Sequence, residues 1–202
     1  MKPPSVPVAP TTAMREVMSQ TYRRDDRRAV EYDQGMPRFR EMPVSSTPAS
    51  SLLSEYFVER AATFPVTQGS YHTANPVDAT FTPPAGVFVV VTTDDDAEAP
   101  DEAVRALACG GVRRLESGPD GRVRYEVKHL FVRPDARGRG LGRQVLVELE
   151  RRAIAFGADE LVLDTNDSLE AAGGLYRAAG YSLIEPYNDN PNATSWYGRP
   201  VR

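Results

Sequence analysis

The chain has 202 residues, 41% hydrophobic and 26% charged, with a formal net charge of −4 and a pI near 5.3. That length supports one domain with its own core, and the acidic balance argues against a nucleic-acid-binding face. The single cysteine, Cys109, rules out an intrachain disulfide and fits a reducing cytoplasm; the longest strongly apolar run, Val87 to Val91, is far too short to cross a bilayer, and no apolar signal core follows Lys2, so neither a membrane nor secretion is expected.

Residues 1–36 read as an N-terminal arm. "MKPPSVPVAP" is proline-rich, and "MREVMSQTYRRDDRRAVEY" has mixed charges and only a thin apolar stripe, so the arm is expected to be disordered or loosely helical. A domain over 37–202 follows. "PRFREMPV" (37–44) reads as a first strand. "SSLLSEYFVERAATF" (50–64) reads as a helix capped by Ser50 or Ser51, with Leu52, Leu53, Tyr56, Phe57 and Ala61 in its apolar stripe. A proline- and glycine-broken loop leads to "VFVVVTT" (87–93), a short β-branched strand. The acidic stretch 94–102 reads as a hairpin tip, 103–115 as the next strand, "SGPDG" (117–121) as a tight turn and 122–132 as a third antiparallel member.

After Pro134 the period changes. "RGRGLG" (137–142) opens a helix in which Leu141, Val145, Leu149, Ala153 and Phe156 fall near one face, with Gly157 as its stop. "ELVLDT" (160–165) is a buried-type strand. Asp167 and Glu170 have capping-box spacing before a helix carrying Leu169, Ala172, Leu175, Tyr176 and Ala179. "YSLIEPY" and "TSWYGRPV" close the chain as two strands. The order is β-α-β-β-β-α-β-α-β-β.

A glycine run between a strand and a helix start is an anion cradle: the first amides of a helix have no intrahelical partner, and its dipole favours negative charge there. This run is not a P-loop, because no Gly-Lys-Ser/Thr follows. It is not the dinucleotide fingerprint either, because position 143 is Arg.

"VRPDARGRGLGRQVLVELE" resembles the acetyl-CoA-binding motif of the GNAT-type N-acetyltransferases, with Arg137, Gly140 and Gly142 at the motif positions. Ala172, Leu175, Tyr176, Gly180 and Tyr181 resemble the family's second signature, and "PYNDNPNATSW" resembles an ending found in a bacterial branch. The resemblance covers residue 37 to the end. It implies an α/β fold with a mixed, mostly antiparallel central sheet, a splayed parallel strand pair and flanking helices. It also implies an acetyl-CoA-dependent transfer to a primary amine on a small molecule or a peptide N-terminus, without a metal, in a cytoplasmic monomer or homodimer.

Under that resemblance the backbone of Leu130, Phe131 and Val132 pairs with the pantetheine amides, the amides of Gly138, Arg139, Gly140, Leu141, Gly142 and Arg143 wrap the pyrophosphate, and the side chains of Arg137, Arg139 and Arg143 help to neutralise it. Tyr176 is the acid beside the thioester sulfur. The base stays open between Glu126, placed by alternation on one face with Lys128 and Leu130, and Asp164 at the end of the next parallel strand. His129 falls on the face opposite Glu126 and reads as structural, and a water relay is the further alternative. The chain departs from the family pattern at Leu169, where many members carry Asn, at Gly173 and Gly174 within a helix, and at Asn192 and Ser195, where relatives carry Tyr and His. The acceptor stays open among amino acids, polyamines, aminoglycosides, antibiotics and peptides. The rival reading is a catalytically silent acyl-CoA sensor on the same fold.

Overall fold

A computed structural model describes residues 37–93, 100, 104–117 and 120–201. The chain divides into Met1–Asp33 and Gln34–Arg202; the expected arm and most of the acidic stretch 94–102 lie outside the described residues. In the second unit the elements are β1 (Arg38–Glu41), α1 (Thr47–Thr63), β2 (Gly86–Thr92), β3 (Ala108–Arg114), β4 (Arg124–Val132), α2 (Leu141–Ala155), β5 (Glu160–Thr165), α3 (Glu170–Ala178), β6 (Ser182–Leu183) and β7 (Ser195–Pro200). This is the order expected from the sequence.

The strands form one sheet in the order β1-β2-β3-β4-β5-β7-β6. Every pair is antiparallel except β4 and β5. β2 is buried along its whole length, and its alternate side chains feed two cores. Val87, Val89 and Val91 join Tyr125, Val127, Leu161, Leu163 and the inward face of α2 in one cluster. Phe88 and Val90 join Cys109, Phe131, Phe81 and the α1 residues Leu52 and Leu53 in the other. The sheet is therefore covered on both faces, by α2 and α3 on one and by α1 on the other.

Several local expectations are corrected. α1 starts at Thr47, with Pro48 inside its first turn and no side-chain cap from Ser46; Ser50 and Ser51 lie within the helix. Ala61, counted in the apolar stripe, is exposed, while Arg60, outside it, is buried. α3 starts after Leu169 without a side-chain cap. Asp167 instead binds the start of β7: its carboxylate accepts from Ser195 Oγ at 2.6 Å and its amide donates to Thr194 Oγ1 at 2.8 Å. The strand expected over 181–187 is only the two residues of β6.

Two features position the site. The parallel pairing of β4 and β5 runs through Arg124–Glu160, Tyr125–Leu161 and Glu126–Val162 and goes no further, so the rest of β4 parts from the end of β5. In addition, β4 carries a bulge. Cys109 pairs with Phe131 but Gly111 pairs with Lys128, leaving His129 and Leu130 opposite Gly110, and His129 has φ 54°.

Gly111 makes room for the loop that follows α1. A β-carbon there would stand 2.7 Å from Phe81 Cδ1 and 2.9 Å from Phe88 Cδ2, both in buried rings. Gly111→Ala is expected to cost about 1–3 kcal/mol by overpacking. In a domain of this size that lowers Tm by at least ~2 °C, and a calorimetric melt checks it.

Candidate functional site

Between the parted strands lies a cavity of about 420 Å³, reached by side chains from both faces of the sheet. Leu169, Ala172 and Tyr176 line it from the α3 side, and Tyr56, Phe57 and Arg60 from α1. Tyr71, His72 and Phe81 come from the loop after α1, and Lys128, His129, Leu130 and Asp164 from the strands themselves. Asn188, Asn190 and Asn192 come from the segment between β6 and β7.

The floor is a buried ionic network. Glu126 is fully buried. Its Oε2 accepts from Arg113 Nε at 2.7 Å, and its Oε1 accepts from Tyr187 Oη at 2.9 Å and lies 3.1 Å from Lys128 Nζ. Lys128 Nζ also donates to Asp164 at 2.9 and 3.1 Å, which links β4 to β5 just beyond their last pair. Asn188 Nδ2 bridges both carboxylates, at 2.8 Å to Asp164 and 3.3 Å to Glu126, and its Oδ1 accepts from Trp196 Nε1 at 2.9 Å. Asn190 Nδ2 donates to Asp164 at 3.0 Å. Burial alone would raise the Asp164 carboxyl, but the Lys128 ammonium and the two amides outweigh it and hold it below its ordinary value.

Asn192 extends this chain of amides to the loop after α1. Its Oδ1 accepts from the His72 amide at 2.9 Å and its Nδ2 donates to the His72 carbonyl at 2.8 Å. The tail segment 187–192 therefore clamps the loop, the strand ends and the ionic network together. Sequence reasoning identified this tail only as a resemblance and assigned no role to Tyr187, Asn188 or Asn190. It missed Arg60, Tyr71 and His72 as well, because nothing local distinguishes an arginine that ends a helix inside a cavity from one in water.

The bulge corrects the expected alternation. Gly111 pairs with Lys128 and Arg113 with Glu126 on the α1 face, but Leu130 packs with the α2 cluster and Phe131 with the α1 cluster. Leu130 thus sits on the face opposite Glu126. His129, expected there, packs edge-on against Tyr56 and Phe57 at 5.7 and 5.6 Å between ring centres, on the α1 side. Burial, then the charges of Lys128 and Arg113, push its imidazole down to about 3, so it is neutral at physiological pH.

Tyr176 is buried, its ring held 6.1 Å from both Tyr181 and Tyr197. Its hydroxyl has no hydrogen-bond partner among the described residues. Burial, with the Asp164 charge adding, raises it to about 12, so the phenol keeps its proton.

At the mouth of the glycine run, Gly138 and Gly140 have φ of 77° and 75°. This left-handed backbone suits glycine and disfavours side chains. Gly140 precedes α2 with no side-chain cap, and the first turn has no acidic residue, so the leading amides of α2 carry no competing negative charge. Arg137 is occupied: it grips Glu59 of α1 at 2.6 and 2.7 Å and donates from Nε to the Val132 carbonyl at 2.9 Å. Arg139 donates to the Asp135 carbonyl at 3.1 Å, and Arg143 is exposed. In α3, a β-carbon on Gly174 would meet nothing within 4 Å, and one on Gly173 only the Arg177 side chain; neither glycine is required by packing within the protein. Among the described residues there is no group of three or more His, Cys, Asp or Glu able to hold a metal ion, and no helix long and apolar enough to cross a membrane.

Because the Asp164 carboxyl is depressed in the folded state, its contribution to stability is full above its unfolded value and is lost as pH falls through the folded one. Asp164→Asn is expected to lower stability at pH 7 by about 1.5–3 kcal/mol, the range for hydrogen bonds to charged groups. The difference in Tm from wild type should close as pH drops below about 4, and melts across pH 3–7 check it.

A sequence model for the Acetyltransferase (GNAT) family matches residues 51–181. An uncharacterized N-acetyltransferase of Schizosaccharomyces pombe is 34% identical over 140 residues, covering 69% of this chain and 78% of that protein. Among solved structures, an acetyltransferase of the GNAT family from Staphylococcus aureus superposes with a TM-score of 0.61 at 14% identity, over 83% of this chain and 100% of that one. A chain of the NatC complex bound to Gag peptide and CoA superposes with a TM-score of 0.55 at 13% identity, over 82% and 99%.

Proposed function

Since the chain belongs to the acetyltransferase (GNAT) family and is an acyltransferase using an acyl-CoA, we propose that it moves an acetyl group from acetyl-CoA directly to a primary amine. The observation that carries this reading is the cavity between the parted ends of β4 and β5. The Tyr176 hydroxyl, which has no hydrogen-bond partner among the described residues, lies on one side and a separate polar and aromatic wall on the other. A two-substrate transfer without a covalent enzyme intermediate needs such a passage, because both substrates must meet at one point.

Acetyl-CoA supplies the activated acetyl group, and the protein's own groups supply position and protons. In this proposal the amides of Gly138, Arg139, Gly140, Leu141, Gly142 and Arg143 hold the pyrophosphate. The fit rests on the left-handed glycines and the uncapped, acid-free start of α2. Arg137 keeps its bonds to Glu59 and Val132 and tunes the loop, while Arg139 and Arg143 add positive charge. The backbone edge of Leu130, Phe131 and Val132, on which the Val132 carbonyl already accepts from Arg137 Nε, takes the pantetheine amides; the Phe131 ring itself stays in the α1 core.

The leaving thiolate needs a proton. Tyr176 holds one, its value raised to about 12 by burial, so the phenol is protonated around neutral pH. Its bond to sulfur strengthens as charge develops there, which places its effect in the transition state. Glu126 and Asp164 are the candidate acceptors for the amine's proton. Their lone pairs are taken by Arg113, Lys128, Tyr187, Asn188 and Asn190, and Asp164 is held below its ordinary value, so in this proposal they attract the ammonium form and water takes its proton before attack.

The test is thiol release from acetyl-CoA over a library of primary amines. Turnover with at least one amine is expected, and tight CoA binding with none would overturn the reading. Tyr176→Phe should keep CoA affinity within a few-fold and lower turnover about 10²-fold; wild-type turnover in that variant would make Tyr176 a packing residue. Gly140→Asp, which adds negative charge and a β-carbon at a left-handed position, should weaken CoA binding at least ~10-fold in calorimetry.

A further inference from the structure

The cavity wall on the α1 side carries one positive charge that nothing described in the protein neutralises. Arg60, Arg113 and Lys128 all line the cavity. Arg113 and Lys128 are matched by Glu126 and Asp164 in the ionic network. Arg60 has no such partner. It is 5% exposed, its Nη1 donates only to the Thr63 hydroxyl at 3.3 Å, and its guanidinium stands 5.6 Å from the centre of the Tyr71 ring. Among the described residues no carboxylate forms an ion pair with it.

The acids closest to it in sequence are committed elsewhere. Glu55 pairs with Arg133 at 2.6 Å and Glu59 with Arg137 at 2.6 Å, both towards the loop that precedes α2. His129 is neutral and supplies no counter-charge. Burying a guanidinium against a hydroxyl and a ring is costly when no anion meets it, and the side chain borders open cavity space rather than packed core.

We infer that Arg60 receives a carboxylate on the acceptor, so that the substrate class is a primary amine that also bears a carboxylate and an apolar body: an α-amino acid or a close analogue. The planar guanidinium matches a carboxylate with paired hydrogen bonds. Tyr56, Phe57 and Tyr71 beside it offer the apolar body a surface. Asp164, across the cavity floor, offers the ammonium group a partner before transfer. The inference rests on the proposed transfer activity for its route, but Arg60 binding is measurable without it.

The experiment compares phenylalanine, leucine and methionine, each against its decarboxylated amine, in the thiol-release assay. It uses wild type, Arg60→Gln and Arg60→Lys, with each variant's fold checked by a thermal melt. At least one amino acid is expected to have a kcat/KM tenfold or more above that of its decarboxylated counterpart. Arg60→Gln should abolish this preference through KM, leaving the decarboxylated amine within a few-fold, and Arg60→Lys should recover part of it. A second measurement is calorimetry of the three N-acetylated amino acids against the corresponding N-acetylated amines, on the protein saturated with CoA. The carboxylated set is expected to bind more tightly, and only in proteins with a cation at position 60.

If no amine turns over yet the carboxylated ligands bind through Arg60, the transfer reading fails and the carboxylate site stands. If amines turn over but no amino acid is preferred and Arg60→Gln changes nothing, the carboxylate inference is overturned and the transfer reading stands. If neither turnover nor carboxylate-dependent binding is seen, both fall.

Discussion

The parting of β4 from β5 is the constraint on which the rest of the structure depends. Two parallel strands in mid-sheet normally stay paired, because separating them strands backbone donors and acceptors. Here pairing stops after Glu126 and Val162, and charged side chains stand where the next pairs would form. Lys128 spans the opening to Asp164, and Glu126 anchors it from below. The other edges are secured: β7 pairs with β5 as far as Thr165, and β3 pairs with β4 as far as Val132. Only the facing edges are open, and these are the ones that border the cavity.

Such a network is stable only if every charge in it is satisfied. That explains why an irregular segment beyond β6 is so rich in amides. Asn188 alone donates to both carboxylates and accepts from Trp196, joining the network to β7. Asn190 and Asn192 carry the same connection to Asp164 and to the His72 backbone. An amide can donate and accept at once without adding charge. A carboxylate at position 188 would repel its neighbours, and a leucine there would leave two buried carboxylates short of donors. The tail thus gives the cavity its shape as well as closing the sheet.

The element order and the glycine-led start of α2 were legible in the sequence, and the side chains that α1 and its following loop bring to the cavity were not. The reason is physical. That start depends on backbone conformation, and left-handed geometry at Gly138 and Gly140 is favoured by a residue type that stands out in any sequence. The strands were legible because Val87–Val91 and Leu161–Leu163 are apolar runs of strand length. The faces of Leu130 and His129 were misread because a bulge adds one residue to β4 and reverses the alternation beyond it, and no local pattern marks it. The cap assigned to Asp167 was misread because a distant partner, Ser195, takes its carboxylate.

The two sides of the cavity therefore differ in how freely they can change. On the cosubstrate side the contacts proposed are backbone amides and strand edges, which tolerate few substitutions at the glycines and many elsewhere. On the side proposed for the acceptor, the cavity wall is built from side chains of α1, of the loop held by Asn192, and of β4, elements far apart in the chain. Replacing Arg60 alters the charge of that wall without touching the Glu126–Lys128–Asp164 network, because among the described residues Arg60 shares no hydrogen bond or ion pair with that network and its one hydrogen-bond partner is Thr63 of its own helix. Replacing Asn188 alters the network itself, and with it the separation of the strands. Selectivity for the acceptor can thus change independently of the scaffold at α1, whereas at the tail a change in selectivity is coupled to a change in stability.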